Sequence, residues 1–158
     1  MIDILNRIQL NYKIYTVCQI GIEAELGRSL VELFDFVAFY DYQNAGNLDA
    51  YSEINETNTT QHMPILEDGK LIEDFEYLDF KYDIAVVDPK ISKSETRKFL
   101  NALSRSKTKF IFLPKDKCNN KPKGYGIETL IYDNVIYNLY YLDLISHEIS
   151  RSLDADKL

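Results

Sequence analysis

The sequence has no tryptophan, and among its 158 residues only two cysteines, two histidines, four prolines and six glycines. Cys18 and Cys118 are too few and too far apart for a disulfide framework or a zinc knuckle, so we expect reduced thiols. No cluster of His, Cys, Asp and Glu has metal-ligand spacing, so no metal site is expected. The scarcity of proline and glycine excludes collagen-like and linker-rich chains.

Long apolar runs are also missing. No stretch approaches the roughly 18 apolar residues of a membrane span, and the N-terminus lacks the basic and apolar segments of a signal peptide. Hydrophobic residues make up 46% of the sequence and charged residues 27%. These proportions predict one soluble globular domain over residues 1–158, in the cytoplasm, or in the host cytoplasm if the protein is viral. The Ile-, Asn-, Lys- and Tyr-rich composition is typical of an AT-rich genome, archaeal or viral.

Positive charge is scarce overall but concentrated in one segment. The formal net charge is -7, from 18 basic and 25 acidic residues. Residues 81–123 hold twelve basic residues against four acidic ones, a net charge of +8, which leaves -15 for the rest of the chain. Because clustered Lys and Arg bind phosphates, the overall acidity does not exclude an anionic substrate or a nucleic acid.

Helical and strand patterns alternate along the chain. The first half is predicted to contain a helix over residues 2–11, a buried strand over 13–20, a helix over 23–33 and a second buried strand over 35–40. Residues 42–62 are polar and are given at most one helical turn. The later elements are predicted in this order: a third strand at 64–66, a short helix or turn at 73–80, a strand at 82–89, a helix at 92–106, a strand at 109–113, two strands at 127–132 and 135–141, and a closing helix at 144–153.

Only Asp133 and Asn134 separate the last two predicted strands. Both residues tolerate positive φ, which predicts an antiparallel hairpin with a two-residue turn. The alternation of helices with apolar strands before it requires right-handed crossovers and a parallel sheet covered on both faces. The predicted fold class is therefore α/β: a single Rossmann-like three-layer domain with a mostly parallel sheet and a C-terminal antiparallel hairpin.

This architecture resembles the class I S-adenosylmethionine-dependent methyltransferases. The first half also resembles a small archaeal family of minimal Rossmann-like proteins. The residues that carry the methyltransferase resemblance follow the ends of successive predicted strands: Gln19, Gly21 and Glu23 after the first, Asp41 at the end of the second, Asp68 after the third, and the run Tyr82 to Pro89 as the fourth. The resemblance implies S-adenosylmethionine as cofactor, with Gln19, Gly21, Glu23, Asp41 and Asp68 binding it.

The loop after the first strand is informative on chemistry. Gly21 permits close backbone approach to a ligand, and Asp41 follows 20 positions later, the spacing of a carboxylate that holds ribose hydroxyls. Glu23 and Glu25 at the start of the helix would repel a diphosphate but suit a cationic ligand, which favours adenosylmethionine over NAD. Alternatively, the two glutamates complement the helix dipole and Asp41 caps a turn.

Two further aspartates have both a functional and a structural interpretation. By the resemblance, Asp68 would bind the adenine amine; alternatively, residues 67–70 form an Asp-Gly hairpin turn. By the same resemblance, Asp88 and Pro89 stand where methyl transfer takes place, as catalytic residues; alternatively, Asp88 ends its strand in a turn. Methyl transfer mainly needs alignment of acceptor and donor, with a base only for an acidic nucleophile.

Basic residues are predicted to line the acceptor side of the crevice. The segment after the fifth strand is placed at the carboxyl ends of the strands, the edge where such folds bind ligands. The residues expected at this rim are Lys90, Lys115, Lys117, Lys121 and Lys123. Alternatively, they form a solvated loop.

Two functions of different classes follow. The first is methyl transfer from adenosylmethionine to an acceptor, with an anionic substrate or nucleic acid as partner, a second copy of the chain as a further one, and no membrane. The second is a non-catalytic Rossmann-like module that binds protein or nucleic acid. A thioredoxin-like domain, suggested by residues 63–69, is disfavoured because the chain has no Cys-x-x-Cys and continues with a buried strand.

Overall fold

The structure is a computed structural model that describes residues 1–21, 24–40, 59–62, 66–67, 70–71 and 82–143. Its elements in chain order are α1 (Ile2–Asn11), β1 (Val17–Ile20), α2 (Ala24–Leu33), β2 (Val37–Tyr40), β3 (Thr59–His62), β4 (Leu66–Glu67), β5 (Lys70–Leu71), β6 (Ile84–Val87), α3 (Lys93–Arg105), β7 (Phe110–Pro114), β8 (Tyr125–Tyr132) and β9 (Val135–Leu142). None of the helices in these ranges is long and apolar enough to cross a membrane.

Seven strands form one sheet, in the order β3-β2-β1-β6-β7-β9-β8. The pairs from β3 to β7 are parallel, and β9 pairs antiparallel with both β7 and β8. The predicted α/β class, parallel sheet and terminal hairpin are confirmed. From β1 the chain continues to β2 and β3 on one side of the sheet, and from β6 it continues to β7 and the hairpin on the other side. The boundary between β1 and β6 is therefore the topological switch point.

Apolar residues cover both faces of the sheet because the central strands are buried on both sides. One face packs α1 and α2 through Leu5, Leu26 and Leu30. The other face packs α3 through Phe99 and Leu103. The near-continuous apolar runs of β1, β6 and β7 are therefore the sequence signal of this three-layer arrangement.

The helix after β6 begins with a side-chain cap. Ser92 Oγ accepts a hydrogen bond from the backbone N–H of Glu95 at 3.2 Å, and Glu95 is the acidic residue of the first turn. The predicted helix over residues 92–106 is confirmed, and of the two candidate caps, Ser92 and Ser94, Ser92 is the N-cap.

The terminal hairpin has the predicted two-residue turn. Asp133 and Asn134 have φ values of 50° and 61°, and Tyr132 pairs with Val135 directly before and after them. Two positive φ angles in succession match the right-handed twist of the strands, which is why Asp and Asn are favoured there.

The third strand was predicted in the wrong place. β3 is Thr59–His62, in the polar stretch, and its Thr59 pairs with Val37 of β2. Of the predicted strand at 64–66, the described residue Leu66 belongs to β4 and not to the main sheet. β4 and β5 form a two-stranded antiparallel ribbon, with Leu66 opposite Leu71 and Glu67 opposite Lys70. This pairing is that of the alternative hairpin. Three predicted elements lie outside the described residues: the helical turn around residues 48–54, the short helix or turn at 73–80 and the closing helix at 144–153.

Candidate functional site

A cavity of about 210 Å³ opens at the carboxyl ends of β1 and β6. In open parallel sheets this crevice at the switch point is the place where ligands bind. Three parts of the chain form its wall: the end of β1 with α2, the end of β6 with the following turn, and the β8–β9 turn. The lining residues are Gln19, Leu26, Val86, Val87, Asp88, Pro89, Lys90, Tyr132, Asp133, Val135 and Tyr137.

The end of β1 supplies a polar side chain and a sharp change of chain direction. Gln19 is buried, with 2% of its surface exposed, and lines the cavity. Gly21, two residues later, is buried and has φ of 80°, a conformation in which a side chain is strained. The sequence therefore needs glycine here to leave β1 and enter α2 at Ala24.

The end of β6 holds a carboxylate at the cavity wall. Asp88 is only 7% exposed, and its backbone N–H donates to the carbonyl of Ile20 at 2.9 Å, which ties the two strand ends together. Its Oδ1 accepts a hydrogen bond from the backbone N–H of Lys90 at 2.7 Å, and its carbonyl accepts one from Ile91 at 3.2 Å. Asp88 thus ends the strand in an Asx turn and also lines the cavity, so the structural interpretation and the functional one describe the same geometry.

Pro89 and Lys90 complete this wall. Proline at the second position of a turn fixes φ near −65°, which favours the turn that Asp88 closes. Lys90 is exposed and is the residue of the predicted basic rim that lines the cavity.

The opposite wall comes from the hairpin, which sequence reasoning did not assign to the site. Tyr132 and Asp133 border the cavity, and Tyr137, 3% exposed, reaches it from β9. The turn between β8 and β9 lies at the carboxyl edge of the parallel strands because β9 runs antiparallel to β7, a pairing that no short stretch of sequence shows. Tyr132 and Tyr137 therefore line the same cavity as Asp88.

The lysine-rich segment crosses the sheet instead of staying at one edge. Lys115 lies at the carboxyl edge, where its N–H donates to the carbonyl of Ile136 at 2.8 Å, and it lines a separate open groove with Asp116, Asn134, Val135 and Ile136. The chain then has to reach the start of β8, at the opposite edge, where the carbonyl of Gly124 accepts from Asp143.

Lys123 directly precedes Gly124 and therefore lies at the amino ends of the parallel strands, away from the cavity. Among the described residues, Lys117 and Lys121 line neither the cavity nor the groove. The physical reason is the hairpin: because β8 runs parallel to β7, the connection between them must descend the full length of a strand. Lys90 and Lys115 remain at the carboxyl edge.

The other predicted ligand-binding residues cannot be placed. Glu23, Asp41 and Asp68 lie outside the described residues, and their predicted roles stay predictions.

Two buried titratable groups, Cys18 and Tyr140, do not line the cavity. Burial raises the pKa of the Cys18 thiol well above its usual range, because the thiolate would be desolvated. Burial likewise raises the pKa of Tyr140 to about 12, and its hydroxyl donates to the carbonyl of Cys118 at 3.3 Å. Cys18 and Tyr140 both pack in the core on the α3 face of the sheet. A thiol held neutral in this way is a packing group and not a nucleophile.

No protein-family model matches the sequence, and no curated protein matches it. Solved structures do match. A methylase candidate from Haemophilus influenzae is 15% identical, with a TM-score of 0.59, and the match covers 89% of this chain and 86% of that one.

Two named methyltransferases are similar to the same extent. An N-methyltransferase from Bradyrhizobium japonicum is 10% identical, with a TM-score of 0.58 over 89% of this chain and 93% of that one. Magnesium protoporphyrin IX methyltransferase from Synechocystis, solved with bound S-adenosylmethionine, is 13% identical, with a TM-score of 0.55 over 89% of this chain and 77% of that one. At this identity the match concerns the fold, and this chain has the Rossmann-like fold of the class I S-adenosylmethionine-dependent methyltransferases.

Proposed function

We propose that this protein transfers a methyl group from S-adenosylmethionine to an acceptor held at the Asp88–Pro89 turn. The observation that carries the proposal is the cavity at the switch point, which brings Gln19 at the end of β1 and Asp88 at the end of β6 to one wall. The fold that this chain shares with methyltransferases of several kinds supports the same chemistry.

The residues at the end of β1 fit an elongated cationic ligand. The backbone turns away at Gly21 with a φ of 80°, which leaves room beside the strand end, and no Lys or Arg of β1 or the first turn of α2 would repel a positive charge. Gln19 and Gly21 would hold the cofactor, together with Glu23, Asp41 and Asp68 as proposed ligands. When bound, S-adenosylmethionine supplies an electrophilic methyl group on a positively charged sulfur.

The residues at the end of β6 would act on the acceptor. The backbone N–H of Lys90 fixes the Asp88 carboxylate through Oδ1, so its position in the cavity wall is preset. An acceptor N–H or O–H that donates to this carboxylate would be aligned for in-line attack, and the proton released on transfer could pass to the same group. Tyr132, Pro89 and Val135 would exclude water on the apolar side.

The acceptor is proposed to carry negative charge. Lys90 is exposed at the cavity, and Lys115 lines the neighbouring groove at the same edge of the sheet. These two positive side chains would attract a phosphate-bearing acceptor to that edge. A nucleic acid is one such acceptor.

Titration calorimetry with S-adenosylmethionine and S-adenosylhomocysteine tests the cofactor. Binding is expected for the wild type and is expected to weaken at least about tenfold in Gly21→Ala, because a side chain at positive φ displaces the backbone there. Gly124→Ala is the matched control: Gly124 has φ of 86°, no atom within 4 Å of an added Cβ, and a place at the opposite edge of the sheet.

Equal loss of affinity in both glycine variants would mean that general strain and not the site is responsible. No heat with the wild type at millimolar ligand would overturn the methyltransferase proposal and favour the non-catalytic binding module.

A further inference from the structure

The last strand of the sheet leaves one edge unpaired among the described residues. β8, Tyr125–Tyr132, is the final strand in the sheet order and pairs only with β9. The eight pairs from Tyr125 with Leu142 to Tyr132 with Val135 run without interruption, so β8 contains no bulge. It is a regular edge of full length.

The sequence of β8 itself carries little of the usual protection against pairing. Edge strands are normally blunted by charged side chains, proline, bulges or short length. β8 has eight residues, no proline and one charged residue, Glu128. It also carries Ile131, which is 70% exposed. An edge of this kind is a template for another strand.

The β8–β9 turn determines which backbone N–H and C=O groups of β8 face the open edge and can pair with another strand. In a hairpin closed by a two-residue turn, the residues flanking the turn exchange both hydrogen bonds, and the pairs then alternate. Tyr132 and the alternate residues before it therefore direct their N–H and C=O groups to β9. Ile127, Thr129 and Ile131 direct theirs to the open edge.

We propose that the occupant of this edge is β8 of a second copy of this chain, in an antiparallel pair with its two-fold axis at Thr129. A two-fold axis between antiparallel edge strands stands perpendicular to the sheet, so opposed residues lie on the same face and the axis must pass through a residue pair. With the axis at Thr129, Ile127 lies opposite Ile131 of the partner subunit, and the outward backbone groups of all three residues are used.

Side-chain complementarity selects this axis. Moving it one residue to Glu128 would place two carboxylates directly opposite each other, which is destabilising. With the axis at Thr129, Glu128 lies opposite Leu130 of the partner subunit, Thr129 meets its own copy, and Tyr132 lies opposite Gly126 of the partner subunit. An aromatic side chain across from an edge glycine is a favoured pair.

With this axis, one residue, Tyr132, belongs both to the proposed dimer interface and to the cavity wall. Tyr132 forms part of the cavity wall and is also the last residue of the proposed strand pair. Within one chain the ring of Tyr141 already lies over Gly126, since an added Cβ there would be 2.5 Å from Cζ and 2.8 Å from the hydroxyl oxygen. Tyr132 of the partner subunit would therefore pack beside Tyr141, and pairing would rigidify one wall of each cavity.

Sedimentation equilibrium of the full chain, at micromolar concentration, tests the dimer. The wild type is expected at twice the chain mass, and Thr129→Pro at the chain mass. The proline removes an N–H that faces outward and leaves the β9 ladder intact, so the variant should keep the wild-type circular dichroism spectrum. Ile136→Lys is the control, because Ile136 is an exposed isoleucine of the same hairpin, 49% exposed, on the inner strand; it should remain dimeric.

Disulfide trapping tests the register. The two native cysteines are buried, so Thr129→Cys introduces the accessible thiol, and it should form an intermolecular disulfide within the dimer under mild oxidation. Glu128→Cys should form markedly less. A monomeric wild type, a dimeric and folded Thr129→Pro, or equal trapping of the two cysteine variants would each overturn the proposal.

Discussion

Asp83 and Asp88 flank the same strand, β6, at its two ends, and their carboxylates make different kinds of contact. At the amino end, Asp83 Oδ2 accepts backbone N–H groups of Tyr15 at 2.7 Å and Thr16 at 3.3 Å, and Oδ1 lies 3.3 Å from Lys109 Nζ. At the carboxyl end, Asp88 accepts from the N–H of Lys90, within its own turn, and lines the cavity.

The difference shows how one residue type becomes structural or functional. Asp83 joins three separate segments, the approach to β1, the start of β6 and the residue before β7, so its contacts are long-range. The Asp88 carboxylate accepts a hydrogen bond within its own turn, and Asp88 lines the cavity. We therefore expect substitution of Asp83 to act mainly on stability and substitution of Asp88 mainly on activity.

The largest expected effect is on activity at Asp88. In Asp88→Asn the amide oxygen can still accept from the backbone N–H of Lys90, so the turn is kept while the negative charge and the proton acceptor are lost. If methyl transfer takes place here, its rate should fall about 100-fold or more, with the free energy of unfolding changed by less than about 1 kcal/mol. Radiolabelled methyl transfer and urea unfolding measure the two quantities. If Asp88→Asn lost stability but kept its activity, Asp88 would be a structural residue like Asp83, and the proposed contrast between the two aspartates would be wrong.

Asp83→Asn should show the opposite pattern. The asparagine has one oxygen for the N–H groups of Tyr15 and Thr16, and its NH₂ would face Lys109. We expect the free energy of unfolding to fall by about 1–2 kcal/mol, and the affinity for cofactor to be unchanged. Asp83→Ala and Lys109→Met, measured singly and together, would show by a double-mutant cycle how much of the loss belongs to the ion pair.

A smaller loss of stability is expected from another hydrogen bond at the amino ends of the parallel strands. The Tyr125 hydroxyl, in a fully buried side chain, donates to the carbonyl of Thr108 at 2.6 Å and ties the start of β8 to the end of the α3–β7 connection. Tyr125→Phe should lower the free energy of unfolding by about 1 kcal/mol and leave cofactor binding unaffected. Tyr132→Phe, at the cavity, is the comparison variant: changed binding there with unchanged stability would sharpen the contrast between the edges.

Alkaline pH should lower the free energy of unfolding through two buried tyrosines, Tyr125 and Tyr140. Burial raises the pKa of Tyr125 and of Tyr140 from 10.0 to about 12. The folded state therefore keeps protons that the unfolded chain releases, so stability is constant with respect to these groups below pH 10 and falls as the pH rises toward 12. Urea midpoints measured between pH 9 and pH 12 should decline less steeply in Tyr125→Phe; an equal decline would exclude this tyrosine as a cause.

The smallest effect is expected at Lys90. Lys90→Gln removes an exposed positive charge at the cavity without disturbing its backbone N–H, so stability should not change. Binding of an anionic acceptor should weaken severalfold at low salt and converge with the wild type at high salt. Lys93→Gln, an exposed lysine at the start of α3, is the control, and a salt dependence lost equally in both would indicate a diffuse surface field.

Regular elements were predictable where one local rule decided them. The Ser92 cap with Glu95, the Asp133–Asn134 turn and the apolar runs of β1, β6 and β7 each carry their signal within a few residues. β3 was misplaced because Thr59–His62 has no apolar run. Beyond β2 the described part of the sheet has only this strand, and a strand at that position can be polar.

The site was predictable only in part. Gln19, Asp88, Pro89 and Lys90 were chosen because they follow strand ends, and the structure brings them to one cavity. Tyr132 and Tyr137 were missed because they come from a hairpin far along the sequence. The position of Lys123 follows from the direction of β8, which depends on strand pairing that no short stretch of sequence contains.

By itself the sequence determined the α/β class, the alternation of buried strands with helices, the hairpin turn and the separation of charge, because these depend on spacing and composition within short segments. Only the tertiary structure decided which strand ends meet, which wall the hairpin supplies and where the lysine-rich segment crosses the sheet. Those outcomes depend on strand order and direction, which are determined by long-range pairing across the whole sheet.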